Sequence, residues 1–149
     1  MSMMPTGYCV STNVDVRYAE TDQMGVVYYG NYFTWFEVGR NAFFQSLGRS
    51  YRKLEEQGLL LPVVEASCRY QMPARYEDQL TITTELKTVS VSRIKFSYII
   101  RRKETRIATG ETTQAFVSKS KGRPVNLKKY FPELWDCLQR LPFDKVAEL

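Results

Sequence analysis

Residues 31–47 constrain the fold more than any other part of this 149-residue chain. Tyr32, Phe33, Trp35, Phe36, Val38, Ala42, Phe43 and Leu47 recur at helical spacing, and Thr34, Glu37, Asn41, Gln45 and Gly48 fall on the opposite stripe. Asn31 is placed to cap such a helix and Gly48 to stop it. An apolar face this broad and this aromatic has to be enclosed by whatever the rest of the chain forms.

The rest reads as strands. Residues 10–18 alternate, with Val10, Thr12, Val14, Val16 and Tyr18 on one side and Ser11, Asn13, Asp15 and Arg17 on the other. Residues 19–29 break that pattern and form a loop, and residues 51–57 form a short helix before Gly58. After Pro62, Val64, Ala66, Cys68, Tyr70 and Met72 alternate with Val63, Glu65, Ser67, Arg69 and Gln71 until Pro73 ends the run. Residues 79–87, 93–102 and 106–118 follow with short turns between them, as an antiparallel meander does. Leu127, Phe131, Leu134, Leu138 and Leu141 predict a terminal helix over 127–141. The order predicts an α+β domain over residues 1–149: one long helix wrapped by a five-stranded antiparallel sheet, plus a C-terminal helix. Such a sheet leaves open edges, which pairing between subunits would cover.

The chain has no histidine. That removes Ser-His-Asp and Cys-His hydrolysis, His-containing zinc sites and any histidine base, and leaves carboxylates, tyrosines, lysines, cysteines and backbone amides. Cys9, Cys68 and Cys137 are odd in number, far apart and in no metal-ligand spacing, so reduced thiols in a cytoplasmic protein are expected. No apolar run reaches membrane-spanning length, and residues 1–8 lack the layout of a signal peptide. A net charge of +5 suits a polyanionic ligand, whether nucleic acid or a nucleotide-bearing group such as coenzyme A.

The segment from Tyr18 to Tyr32 carries the chemistry. Asp22 sits in a loop just before the apolar helix, and Gly25 permits a tight turn or close ligand approach. The residues from Tyr28 to Tyr32 open the helix, where free N–H groups and the helix dipole favour negative charge. A thioester or ester carbonyl held there would be polarised, and Asp22, partly desolvated by Tyr and Val side chains, could attack it or activate a water. Locally, an Asp of this kind is also a common turn or capping residue.

Tyr18-x3-Asp22-x2-Gly25-x2-Tyr28-Tyr29-x2-Tyr32 before an aromatic helix resembles the signature of 4-hydroxybenzoyl-CoA thioesterase-like hotdog proteins. Matches continue in order: Phe36-Glu37-x2-Arg40, Leu47-Gly48, Pro62-Val63-Val64-Glu65, Tyr70-x2-Pro73-Ala74-x-Tyr76-x-Asp78, and Gly122-Arg123-Pro124-Val125. The resemblance implies the hotdog fold, dimers with a continuous sheet or tetramers built from them, and hydrolysis of an acyl-CoA to free acid and CoA. It implies no metal and no cofactor beyond the CoA of the substrate. Asp22 takes the place of the nucleophile or general base, and the backbone amide at Tyr29 that of the carbonyl-polarising group. Gly25, Tyr28, Tyr32, Ser92 and Arg93 fall at substrate-binding positions, the last two toward the CoA phosphates. Many close relatives carry His where this chain has Tyr29, a change that matters only if a side chain, not the backbone N–H, does the work.

Glu37, on the polar stripe of the helix, is a reserve carboxylate, and Glu65 reads as half of a cross-strand ion pair. The basic turns at 101–103 and 119–123 read as solvent-facing. Three further functions compete with hydrolysis. A hotdog module could bind CoA or acyl-CoA without turnover. A nucleic-acid-binding domain is disfavoured, because no dense basic patch is interleaved with exposed aromatics. A dehydratase of the same fold is disfavoured by the missing histidine.

Overall fold

The computed structural model describes residues 7–143. Strand β1 (Cys9–Asp15) leads through a one-turn 3-10 helix (Tyr18–Glu20) and a loop into helix α1 (Asn31–Ser46), then α2 (Tyr51–Glu56). Strands β2 (Leu59–Leu60), β3 (Val63–Tyr70), β4 (Gln79–Val89), β5 (Arg93–Arg102), β6 (Thr105–Ala115) and β7 (Val117–Ser118) follow, then helices α3 (Leu127–Tyr130) and α4 (Pro132–Gln139). The main sheet has the order β1-β4-β5-β6-β3 and is antiparallel throughout; β2 and β7 form a separate two-stranded ribbon. This is the expected α+β layout, with β4, β5 and β6 as the meander.

The core lies between α1 and one face of the sheet. Tyr32, Trp35, Phe36, Phe43 and Phe44 of α1 are buried against Leu80, Ile82, Leu86, Ile94, Phe96, Tyr98 and Ile100. Each such ring removed from water stabilises the fold by roughly 1.5–3 kcal/mol. Phe36 stacks on Tyr98 with centroids 4.3 Å apart, and Phe43 meets Phe96 edge-on at 4.8 Å. The helix can come this close because two facing positions lack a side chain. A Cβ on Gly39 would run into the Thr84 hydroxyl, and one on Gly110 would strike the Phe36 ring.

Arg40 is buried beneath α1 with no carboxylate partner among the described residues. Its Nε donates to the Tyr51 hydroxyl and its Nη1 to the Tyr98 hydroxyl, each at 3.1 Å, and Tyr98 also pairs with the Thr112 hydroxyl. Gln114, further along the same face of β6, is buried with neither amide atom paired among the described residues.

Four elements depart from the sequence expectation. The first strand stops at Asp15, because the backbone N–H of Val16 turns to the carbonyl of Asp78 and residues 18–20 coil into the 3-10 turn. Asn31 is the first helical residue and not the cap. The run 106–118 breaks at Phe116, whose carbonyl and N–H leave the main ladder for Val125 and Ser92. The terminal helix is split in two, because Pro132 has no N–H to continue α3 and disfavours a helical Phe131, which adopts φ −135°, ψ 60°. Gly48 ends α1 as expected, with φ +70°. Strand β3 alternates in sequence but is open on both faces, with Val63 46% and Val64 44% exposed. No helix among the described residues is long and apolar enough to cross a membrane.

Candidate active site

The loop between the 3-10 turn and α1 is built by its own backbone. The N–H of Asp22 donates to the carbonyl of Val26, Gly25 takes φ +79° to close the turn, and Thr21 bridges Val27. The Asp22 side chain joins in: its Oδ1 accepts the Met24 N–H at 2.8 Å. Its Oδ2 has no partner among the described residues. Space around Gly25 is empty, so the residue is required by its backbone angle and not by a close approach.

Two lashings bring this loop to the helix start. The buried Glu20 presents its carbonyl to the Tyr28 N–H at 2.9 Å and to Asn31 Nδ2 at 2.8 Å. Val27 donates to the carbonyl of Ala74, which fastens the loop to the segment leaving β3. Asn31 therefore ties loop to helix with its side chain, where a cap would have tied the helix to itself.

The result is a groove of about 330 Å³ in which Asp22, Val26 and Tyr29 face Tyr32, Tyr70 and Met72. Asp22 itself is exposed, so the Tyr and Val side chains of one chain do not desolvate it as the sequence suggested. At the helix start the N–H groups of Tyr29 and Gly30 have no acceptor among the described residues, while the carbonyls of Tyr28, Tyr29 and Gly30 already accept from Asn31, Tyr32 and Phe33. Free donors beside a carboxylate are the parts an acyl transfer needs.

Tyrosines shape the rest of the wall. The Tyr32 hydroxyl accepts the Ala74 N–H at 3.3 Å, and burial pushes its phenol above the usual range. Tyr70 packs edge-on against Tyr32 at 4.9 Å and donates its hydroxyl to the Tyr29 carbonyl at 3.0 Å. Although the residue is 45% exposed, its phenol is pushed up to about 12, first by partial desolvation against the groove wall and then by the neighbouring Cys68 thiol. Tyr28 lies outside the groove lining with its ring against Gly30, where a Cβ would sit 2.8 Å from it.

Ser92 and Arg93 are not brought to this groove within one chain. Tyr70 pairs with Ala108 and through it with Ile100, whereas Arg93 pairs with Ala115 at the other end of the sheet. That separation is roughly 25 Å along the strands. The Ser90 hydroxyl instead organises the turn by accepting the N–H groups of Ser92 and Arg93. Glu37 is exposed over a second hollow of about 490 Å³ that also holds Arg40 and Tyr51, and Glu65 makes no ion pair among the described residues. Lys95 pairs with Glu111 instead, at 2.9 Å, in a hollow of about 600 Å³ on the outer sheet face. Neither hollow sets a carboxylate beside free helix N–H groups, so the smaller groove is the better candidate. Among the described residues no three Cys, Asp or Glu side chains could jointly hold a metal.

A family profile described as the thioesterase-like superfamily matches residues 16–136. The chain belongs to that superfamily. YneP of Bacillus subtilis is similar at 35% identity over 121 residues, covering 80% of this chain and 88% of its own. The Haemophilus influenzae protein named acyl-CoA thioesterase YbgC is 30% identical over 128 residues, covering 85% and 93%. Among solved structures, one named DHNA-CoA thioesterase from Staphylococcus aureus superposes with a TM-score of 0.85 at 34% identity, covering 89% of each chain. The thioesterase-like family match spans the Asp22 loop, α1, β3 and the whole meander, and the five-stranded sheet around one helix is the hotdog fold of these thioesterases.

Proposed function

We propose that the chain hydrolyses an acyl-CoA thioester to a free carboxylic acid and CoA at the Asp22 groove. The observation that carries this reading is the Asp22 carboxylate in one groove with Tyr29, whose backbone N–H has no acceptor among the described residues. The thioester oxygen would take that N–H, drawing charge from the carbonyl carbon. Asp22, with Oδ1 held by Met24, would present Oδ2 either to that carbon or to a water whose proton it removes. In either route the C–S bond breaks, the CoA thiolate takes a proton, and water supplies the new acid oxygen. The tyrosine at position 29 is no obstacle, since the role belongs to its backbone.

The site is completed by a second copy in this reading. Strand β3 is an open edge carrying exposed Val63 and Val64 at one end and Tyr70 at the other, apolar side chains that pairing would cover. Two β3 edges pairing antiparallel would extend the sheet across both chains. Such pairing puts each Tyr70 end beside its partner's Val63 end, and so brings the partner's Ser92 and Arg93 to the same end of the sheet as Asp22. Serine hydroxyls and a cation there suit CoA phosphates, and the second chain would desolvate Asp22.

A thiol-release assay with acetyl-, hexanoyl- and benzoyl-CoA tests this, with Asp22→Asn as control. Release by the wild type and its loss in the variant is the expected outcome; turnover unchanged by the substitution would sink the assignment. The turn-forming contact of Asp22 with Met24 favours a second reading, a module that binds CoA without turnover. CoA affinity by calorimetry with no release from any ester would establish that instead.

A further inference from the structure

The Tyr70 hydroxyl is spent on a backbone carbonyl just before α1, where the proposed reaction needs its donors. Tyr29 O already accepts the Tyr32 N–H at the entry to the helix, at 3.3 Å, so the Tyr70 bond at 3.0 Å is a second one. The Tyr29 carbonyl shares a planar peptide with the Gly30 N–H. A bond to one end of that peptide fixes the direction of the other and polarises it as a donor. Tyr70 arrives from the end of β3, forty-one residues away in sequence, and its ring is held by Tyr29 and Tyr32, so the contact is set by packing.

We propose that Tyr70 is a positioning residue for the reaction: its hydroxyl holds the Tyr29–Gly30 peptide so that the N–H groups of Tyr29 and Gly30 together meet the thioester oxygen. This rests on the hydrolase reading of the Asp22 groove. The phenol stays protonated through the neutral range, so it donates wherever the enzyme would work. The Gly30 N–H, without an acceptor among the described residues, becomes the second donor, and the glycine leaves room there for the Tyr28 ring.

The test compares wild type, Tyr70→Phe and Asp22→Asn on whichever of acetyl-, hexanoyl- and benzoyl-CoA the wild type turns over fastest. Tyr70→Phe keeps the ring and loses the bond; kcat should fall about tenfold with KM within about twofold, since misplaced donors act on the transition state. If Tyr70→Phe folds less well, 4-aminophenylalanine at position 70 keeps a donor on the para carbon and should restore the rate. As a spectroscopic check, the thioester carbonyl band of ester bound to Asp22→Asn should shift back toward its solution frequency when Tyr70→Phe is added. Unchanged kcat in Tyr70→Phe, or equal loss with 4-aminophenylalanine, overturns the role of Tyr70 and leaves the hydrolase reading standing. No release by wild type, or full release by Asp22→Asn, overturns both.

Discussion

Arg40 of α1 donates from Nη1 to the hydroxyl of Tyr98 on β5, across the interface between helix and sheet, with both groups buried. It is a charge held by phenols instead of a carboxylate, inside a face that is otherwise rings and aliphatic chains. Burial works against the charged form, and the facing Tyr98 and Tyr51 oxygens offset it, so the guanidinium stays charged.

Removing that side chain should be costly. Arg40→Ala leaves a cavity under α1 and takes a donor from the buried Tyr98 hydroxyl and the half-buried Tyr51 hydroxyl, so unfolding in urea should show a loss of about 3 kcal/mol. Arg40→Met, which fills the space, should lose clearly less.

Stability should fall on the alkaline side. Burial pushes Tyr98 up to about 12, the largest cause, although Arg40 and Thr112 pull the other way. Tyr51 moves in the same direction, also by burial. An acid whose folded pKa lies above the unfolded value near 10 stabilises the fold fully below pH ~10. That contribution drains between pH ~10 and ~12, by at most about 3 kcal/mol for Tyr98. Urea midpoints measured from pH 8 to 12 should trace this decline, and Tyr98→Phe should make it shallower, with the share of Tyr51, Tyr32 and Tyr70 remaining.

Gly39→Ala should destabilise the protein even though alanine favours a helix by about 1 kcal/mol. The new methyl meets the Thr84 hydroxyl and lies 3.1 Å from Ile82 Cγ2, both on the buried side of β4. A net loss of about 1–2 kcal/mol is expected by thermal or urea unfolding.

Asn31→Ala should separate activity from stability. It deletes one hydrogen bond, to the Glu20 carbonyl, worth about 1 kcal/mol. It also removes one of the ties between the loop that carries Asp22 and the helix start beside the donors, leaving the Tyr28 N–H on the Glu20 carbonyl. Thiol release should drop about tenfold while the melting temperature moves only a few degrees.

Lysines on the open edge should stop association. With Val64→Lys and Ala66→Lys combined, β3 presents charge along the strand proposed to pair between copies. Sedimentation should report one chain for the variant and two or four for the wild type, with far-ultraviolet dichroism unchanged.

What could be read from the chain was what its own neighbours decide. The span of α1 followed from a face of rings at helical spacing and from Gly48. The nearness of Asp22 to the helix start followed from only six residues of sequence between Asp22 and Tyr29. Tyr70 was legible as a strand residue but not as part of the groove, because its place depends on β3 crossing to the far edge beside β6. Arg40 was hidden by the ordinary rule that charges face water. The openness of β3 escaped because alternation reports which residues could be buried, not whether this chain buries them. Pro132 was a stop signal in plain view, overridden by the longer leucine pattern around it.

The order of strands has a consequence for synthesis. Both edges of the main sheet, β1 and β3, leave the ribosome before the strands they pair with, β4 and β6. Until residues 79–115 have emerged, the aromatic side of α1 has no sheet to lie on. The nascent protein therefore carries its greasiest segment uncovered through half of its translation, and the wait ends only when the last meander strand arrives.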